Sequence, residues 1–171
     1  MKKITPASLK KLNFIAAGLH AVQAVAVVAL SKDFAVPVTG SYLTFDRTAQ
    51  KLLPASKELF TIQLPYLIAG FFVLSALAHL IIATVYNKSY NKNLKLGINR
   101  GRWIEYSISA SVMMLAISQL VGIYDAGTLL AIFALTSIMN LLGLVMEIHN
   151  QTTSQTNWLS YWIGCFAGII P

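Results

Sequence analysis

Polar and ionisable residues interrupt the apolar stretches of this chain at a few positions: Glu105, His20 with Gln23, Ser75 with His79, and Asn140. A carboxylate and two imidazoles can hold a proton or neutralise a cation. Glu105 is the only acidic residue within any of the long apolar segments. An ionisable side chain in hydrocarbon costs roughly 2.5 to 3.5 kcal/mol on insertion scales, so Glu105 marks a functional position. His20 and Gln23 are spaced i, i+3 and Ser75 and His79 i, i+4, which puts each pair on one helix face. Arg102, Glu105, Ser109 and Met113 form one stripe at the same periodicity, with a carboxylate, a hydroxyl and a polarizable apolar surface in sequence. That stripe suits a long hydrophobic ligand with a charged end.

Plainer roles exist for each of these residues. A single buried histidine commonly bonds a backbone carbonyl or water, and Glu105 can sit at the interface paired with Arg100 or Arg102. The serines of this stretch can serve close helix packing or bond back to the preceding turn. His149 is a surface residue favoured by a helix C-terminus. A zinc site from His20, His79 and Glu105 is disfavoured because the three come from separate segments without an H-x-x-x-H unit, so no metal is expected. Neither a G-x-S-x-G elbow nor a phosphate-binding glycine loop occurs, so no enzyme is expected.

The elements that must position these groups are membrane helices. Of 171 residues, 56% are hydrophobic and 11% charged, which does not describe a soluble domain. Five apolar segments are predicted: A over 12–31, B over 59–86, C over 103–124, D over 128–147 and E from 158. Each of the first four reaches the roughly 20 residues that cross a bilayer. Segment A is too long for a signal-peptide core and is read as a retained helix. Segment E opens on Trp158, Tyr161 and Trp162 and reaches Pro171 after about 14 residues, short of the roughly 20 that a span needs. It is therefore expected to be an incomplete fifth helix of a longer protein. The whole of 1–171 reads as one membrane domain.

The net charge of +7 does not indicate nucleic acid, since no basic face with interleaved aromatics exists outside the apolar segments. The basic residues set orientation instead. Lys2, Lys3, Lys10, Lys11, Lys88, Lys92, Lys95, Arg100 and Arg102 gather at one end, and Lys32, Arg47, Lys51 and Lys57 at the other, so the N-terminus is expected in the cytoplasm. The external 32–57 connection is predicted to hold a small β-hairpin, with strands over 34–38 and 41–45 about a turn at Thr39-Gly40. Residues 87–99 are expected to be a cytoplasmic loop. With this orientation, His20, His79, Glu105 and Asn140 fall in the same half of the membrane and suggest a shared cluster. Cys165, the single cysteine, excludes an internal disulfide.

The Arg102-Trp103-Ile104-Glu105-Tyr106 start of C, the Leu19-His20-Ala21-Val22-Gln23 unit of A, His79 and Asn140 together resemble the heliorhodopsins, retinal proteins of inverted topology. The resemblance covers segments A to E. It implies a seven-helix bundle of which about five helices are present, and all-trans retinal on a Schiff-base lysine of the seventh helix. No lysine within 1–171 suits that role, because every one flanks a segment or lies in a loop. The resemblance makes Glu105 the Schiff-base counterion and His20, Gln23, Ser75, His79 and Arg102 a polar, proton-accepting cluster. Tyr106, Ser109, Met113, Asn140, Gly143 and Trp162 then line or approach the chromophore. It further implies a light sensor that signals rather than pumps, a homodimer in membrane lipid, and a cytoplasmic signalling partner. The alternatives are a proton or ion channel or transporter built on the same His and Glu cluster, and a lipid-binding membrane scaffold without retinal.

Overall fold

The computed structural model describes residues 5–171. Six helices and one hairpin follow in the order α1 (Pro6–Leu30), β1 (Ala35–Asp46), β2 (Lys51–Gln63), α2 (Leu64–Ala83), α3 (Asn87–Lys95), α4 (Arg100–Leu120), α5 (Ala126–His149) and α6 (Leu159–Ile169). α1 packs on α2, α2 on α4, α4 on α5 and α5 on α6. By length and composition α1, α2 and α5 can each cross a membrane. Their outward residues, among them Val22, Val25 and Leu130, are apolar and exposed, as a lipid-facing surface requires.

Local chemistry sets the ends. α1 starts six residues before the predicted position because Thr5 caps it: the Thr5 hydroxyl accepts from Ser8 N–H, and the Ser8 hydroxyl accepts from Thr5 N–H. Pro6 occupies the first turn, where a missing N–H costs nothing. α4 begins at Arg100 under the Asn99 side chain and stops at Leu120, short of Tyr124. Gly122 then takes φ +91°, a turn conformation that a side chain would oppose.

Three expectations are corrected. The hairpin is longer than predicted, and its turn is not Thr39-Gly40. Both predicted strands belong to the single strand β1, which slips register between Val38 and Thr39. Reversal occurs instead at Arg47–Gln50, where Asp46 Oδ1 accepts from the Thr48 and Ala49 N–H groups at 2.8 Å each. Segment B starts at Leu64 rather than Leu59, because Leu59–Gln63 belongs to β2, with Phe60–Gln63 paired to β1, and Pro65 favours the first turn of a helix. The predicted loop 87–99 holds the helix α3. Buried Tyr90 anchors it, and Asn87 Nδ2 donates to the Ile82 carbonyl at the end of α2.

α4 has 21 residues but is too polar to count among the apolar spans, because Ser107, Ser109, Ser111, Ser118 and Gln119 are buried along it. Its small residues face neighbouring helices, which permits close approach. At the far end from α3, the hairpin lies against the α4–α5 turn. Thr39 N–H donates to the Tyr124 carbonyl at 2.8 Å, and the Ser41 hydroxyl donates to Asp125 Oδ2 at 2.8 Å. Val36, Leu64 and Ala116 close the apolar core beneath it, with Ile62, Leu67, Ile68 and Tyr124 packed around them.

Candidate functional site

Glu105 lies a turn inside α4 and points to α2. Its Oε1 accepts hydrogen bonds from Ser75 of α2 at 2.8 Å and from Ser109 of its own helix at 2.7 Å. The i, i+4 spacing along α4 supplies the second donor; the pairing of α2 with α4 supplies the first. Among the described residues Oε2 accepts no hydrogen bond, and no cation forms a salt bridge with the carboxylate.

The nearest arginine is engaged elsewhere. Arg102 Nη2 pairs with Glu147 Oε1 of α5 at 3.1 Å, and its guanidinium lies 4.3 Å from the Trp103 ring centre. The Asn99 N–H donates to Glu147 Oε2 at 2.6 Å. Arg102 and Glu105 therefore share a helix but not a bond.

The histidines meet across α1 and α2. The rings of His20 and His79 stack with centroids 5.6 Å apart and planes 11° from parallel, and Phe72 lies 6.0 Å from His20. His79 Nδ1 is 2.8 Å from Asn13 Oδ1, whose amide nitrogen donates to the Leu9 carbonyl. That second bond fixes the amide orientation, so Asn13 accepts and His79 Nδ1 carries the proton. His20 Nδ1 faces Gln23 Oε1 at 3.0 Å, which the same tautomer satisfies. In the neutral form both rings then present Nε2 as an acceptor.

A cleft of about 340 Å³ joins these groups. Glu105, Ser75, His20 and His79 form its polar wall, and Phe71, Tyr106, Ala110 and Met113 its apolar wall. A second cleft of about 150 Å³ shares His79, Glu105 and Tyr106 and extends past Asn13 and Tyr90 to Arg102. Of the predicted cluster, His20, Ser75, His79 and Glu105 line the larger cleft, Gln23 orients His20, and Arg102 borders only the smaller one. Of the predicted ligand-lining residues, Tyr106, Ser109 and Met113 face the larger cleft. The structure places the others elsewhere. Asn140 is buried and donates to the Thr136 carbonyl at 2.9 Å, Gly143 packs under the Trp103 ring, and Trp162 is exposed on α6.

Two site residues escaped the sequence reading. Asn13 stands i, i+7 from His20 on the same face of α1, a spacing that could have found it. Glu147 carried no local signal, because its partner comes from another helix.

The fold and the site define a class: a membrane-embedded helical bundle that aims a carboxylate and two imidazoles into a largely apolar cleft. The heliorhodopsin family model matches residues 9–171, and the chain belongs to that family, one of retinal-binding, photoreceptor-type membrane proteins. No curated protein matches the chain.

The residues present fit the body and the charged end of retinal. The cleft offers an apolar wall for a polyene, and a carboxylate that pairs with no cation among the described residues stands beside it. Among the described residues none provides the attachment amine, since Lys10, Lys11, Lys32, Lys51, Lys57, Lys88, Lys92 and Lys95 are all exposed.

Proposed function

We propose that the protein is a light sensor in which Glu105 neutralises the cationic end of bound retinal, within a seven-helix architecture whose attachment lysine lies outside residues 1–171. Retinal, when bound, supplies visible absorption, a light-driven change of shape and a positive charge. The observation that carries this reading is the Glu105 carboxylate, held by two serine hydroxyls and paired with no cation among the described residues. An anion desolvated without a partner is costly. A cation brought into the cleft relieves that cost and is held in return.

Ser75 and Ser109 fix the carboxylate by occupying Oε1, which leaves Oε2 to face the charge. His20 and His79, with Nδ1 occupied, offer Nε2 as a resting place for a proton that leaves the charged pair. Glu105 is the sole carboxylate along α4, and a transmembrane relay uses several stations, so the reading is signalling rather than pumping. The N-terminus is assigned to the cytoplasm, and a cytoplasmic partner and a homodimer complete the proposal.

The test is spectroscopic. Membranes containing the natural protein, given all-trans retinal, are expected to gain a visible band, and Glu105→Gln is expected to move it to longer wavelength. Removing the anion weakens the localisation of positive charge in the ground state. A preparation that stays colourless, or a band that Glu105→Gln leaves in place, removes the proposal.

A second reading, proton or ion conduction, draws support from the smaller cleft. It continues the polar wall from His79 and Glu105 to Arg102 at the basic end. Photocurrents in illuminated cells, abolished by His79→Ala, would favour it.

A further inference from the structure

We propose that the exposed lysine face of α3 binds the phosphate groups of anionic phospholipids in the leaflet it borders. Lys88, Lys92 and Lys95 are spaced i, i+4 and i+7, so they share one face of α3, and all three are exposed. Tyr90 projects from the opposite face and is buried next to Gly101 and Ile82, which turns the lysines outward.

Three observations point to an anion outside the protein. No aspartate or glutamate occurs from Thr84 to Ile104, and the nearby carboxylate of Glu147 is already engaged by Arg102 and the Asn99 N–H. Lys88 sits in the first turn of α3, where the helix dipole opposes a cation and no acidic side chain offsets it. Helix stability therefore accounts for Lys92 and Lys95 in the last turn, but not for Lys88. The opposite end of the molecule differs: there Lys32, Arg47, Lys51 and Lys57 are interspersed with Asp33, Asp46, Glu58 and Asp125.

Position selects lipid as the source of the anion. α3 begins four residues after α2 ends and stops five before α4 starts, which holds it at the level where membrane helices emerge. Val85 and Leu96 flank it and are 85% and 53% exposed, apolar surface that an interfacial helix inserts among acyl chains. Lys10 and Lys11, exposed on the first turns of α1, extend the basic belt, because the Asn13–His79 bond brings that end of α1 beside the end of α2. Clustered lysines beside a membrane helix attract anionic headgroups, at about a fivefold gain in affinity for each charge near the surface.

The experiment titrates the natural protein in detergent with phosphatidylglycerol or with phosphatidylcholine of the same chains and counts bound lipid by native mass spectrometry. Phosphatidylglycerol is expected to bind more tightly. The Lys88→Gln/Lys92→Gln/Lys95→Gln variant should weaken it about fivefold for each lysine that reaches a phosphate, with phosphatidylcholine unchanged. Arginine at the same three positions should retain it, and Lys32→Gln/Lys51→Gln/Lys57→Gln at the other end should leave it intact. Raising the salt should weaken binding to the unaltered protein, a readout that needs no variant. Equal affinity for the two lipids, or glutamine substitution on α3 without effect, overturns the proposal; the latter result is also what a face reserved for an acidic soluble protein would give.

Discussion

Ser75 and Ser109 each give a hydroxyl hydrogen to one oxygen of Glu105, and the two donors differ in origin. Ser109 comes with the helix that carries the carboxylate; Ser75 depends on the packing of α2 against α4. Removing either should cost about 1.5–3 kcal/mol of stability, the range for a hydrogen bond to a charged group. The Ser75→Ala/Ser109→Ala double variant should cost more than the sum of the two, because it leaves the carboxylate with no protein donor. Thermal unfolding of the three variants checks this, and strict additivity would show that the donors act independently. Much of this constellation was readable in the sequence, since a lone carboxylate in an apolar run and histidines at helical spacing from Gln23 and Ser75 are local signals. The partner of Arg102 was not. One-dimensional spacing offered Glu105 one turn away, whereas the folded chain presents Glu147 from 45 positions downstream, so the choice between the two carboxylates is made by the packing of α4 on α5.

Elements meet through a few close contacts that can be tested singly. A Cβ built on Gly143 would lie 2.5 Å from the Trp103 ring, so Gly143→Ala should destabilise the α4–α5 contact by about 1–3 kcal/mol, the usual cost of overpacking. Trp103→Phe in the same chain should recover part of that loss. The hairpin is held differently, by Asp125 at the start of α5. The Thr128 N–H, then the Ser41 and Thr128 hydroxyls, hold its carboxyl below the ordinary value of 3.8. A lowered folded value means that the contribution to stability is present above the unfolded value and is lost as pH falls through the folded one. Acidification below about pH 4 should therefore loosen the hairpin from the α4–α5 turn, seen as a lower protection factor at the Thr39 amide, its exchange rate being taken relative to the intrinsic rate at the same pH. Asp125→Asn should make that protection factor insensitive to acid over the same range. The hairpin itself was legible from its β-branched and aromatic residues, but its turn was not. Thr39-Gly40 has the composition of a reversal, yet the longer pairing with β2 outweighs it and the Asp46 turn takes over. The helix α3 was hidden for the opposite reason: its apolar content is small, and Tyr90 is its one buried residue.

For the molecule as a whole, orientation is the property on which the direction of any signal depends. With the N-terminus cytoplasmic, a cysteine introduced at Thr48 in the hairpin turn, in a Cys165→Ser background, should react with a membrane-impermeant maleimide applied to intact cells, and one introduced at Ser89 in α3 should react only after lysis. The reverse pattern would invert the assignment. The distribution of polarity along α4 bears on how such a protein is made. The helix that carries the carboxylate is also the one least able to enter lipid unaided, since its buried serines suit neighbouring helices rather than acyl chains. Only five residues separate it from the strongly apolar α5, a connection too short to let one helix wait outside while the other goes in. Formation of the Glu105 site is thus expected to depend on co-insertion of the pair, and a longer linker after Leu120 is expected to lower the fraction of α4 that integrates into the membrane.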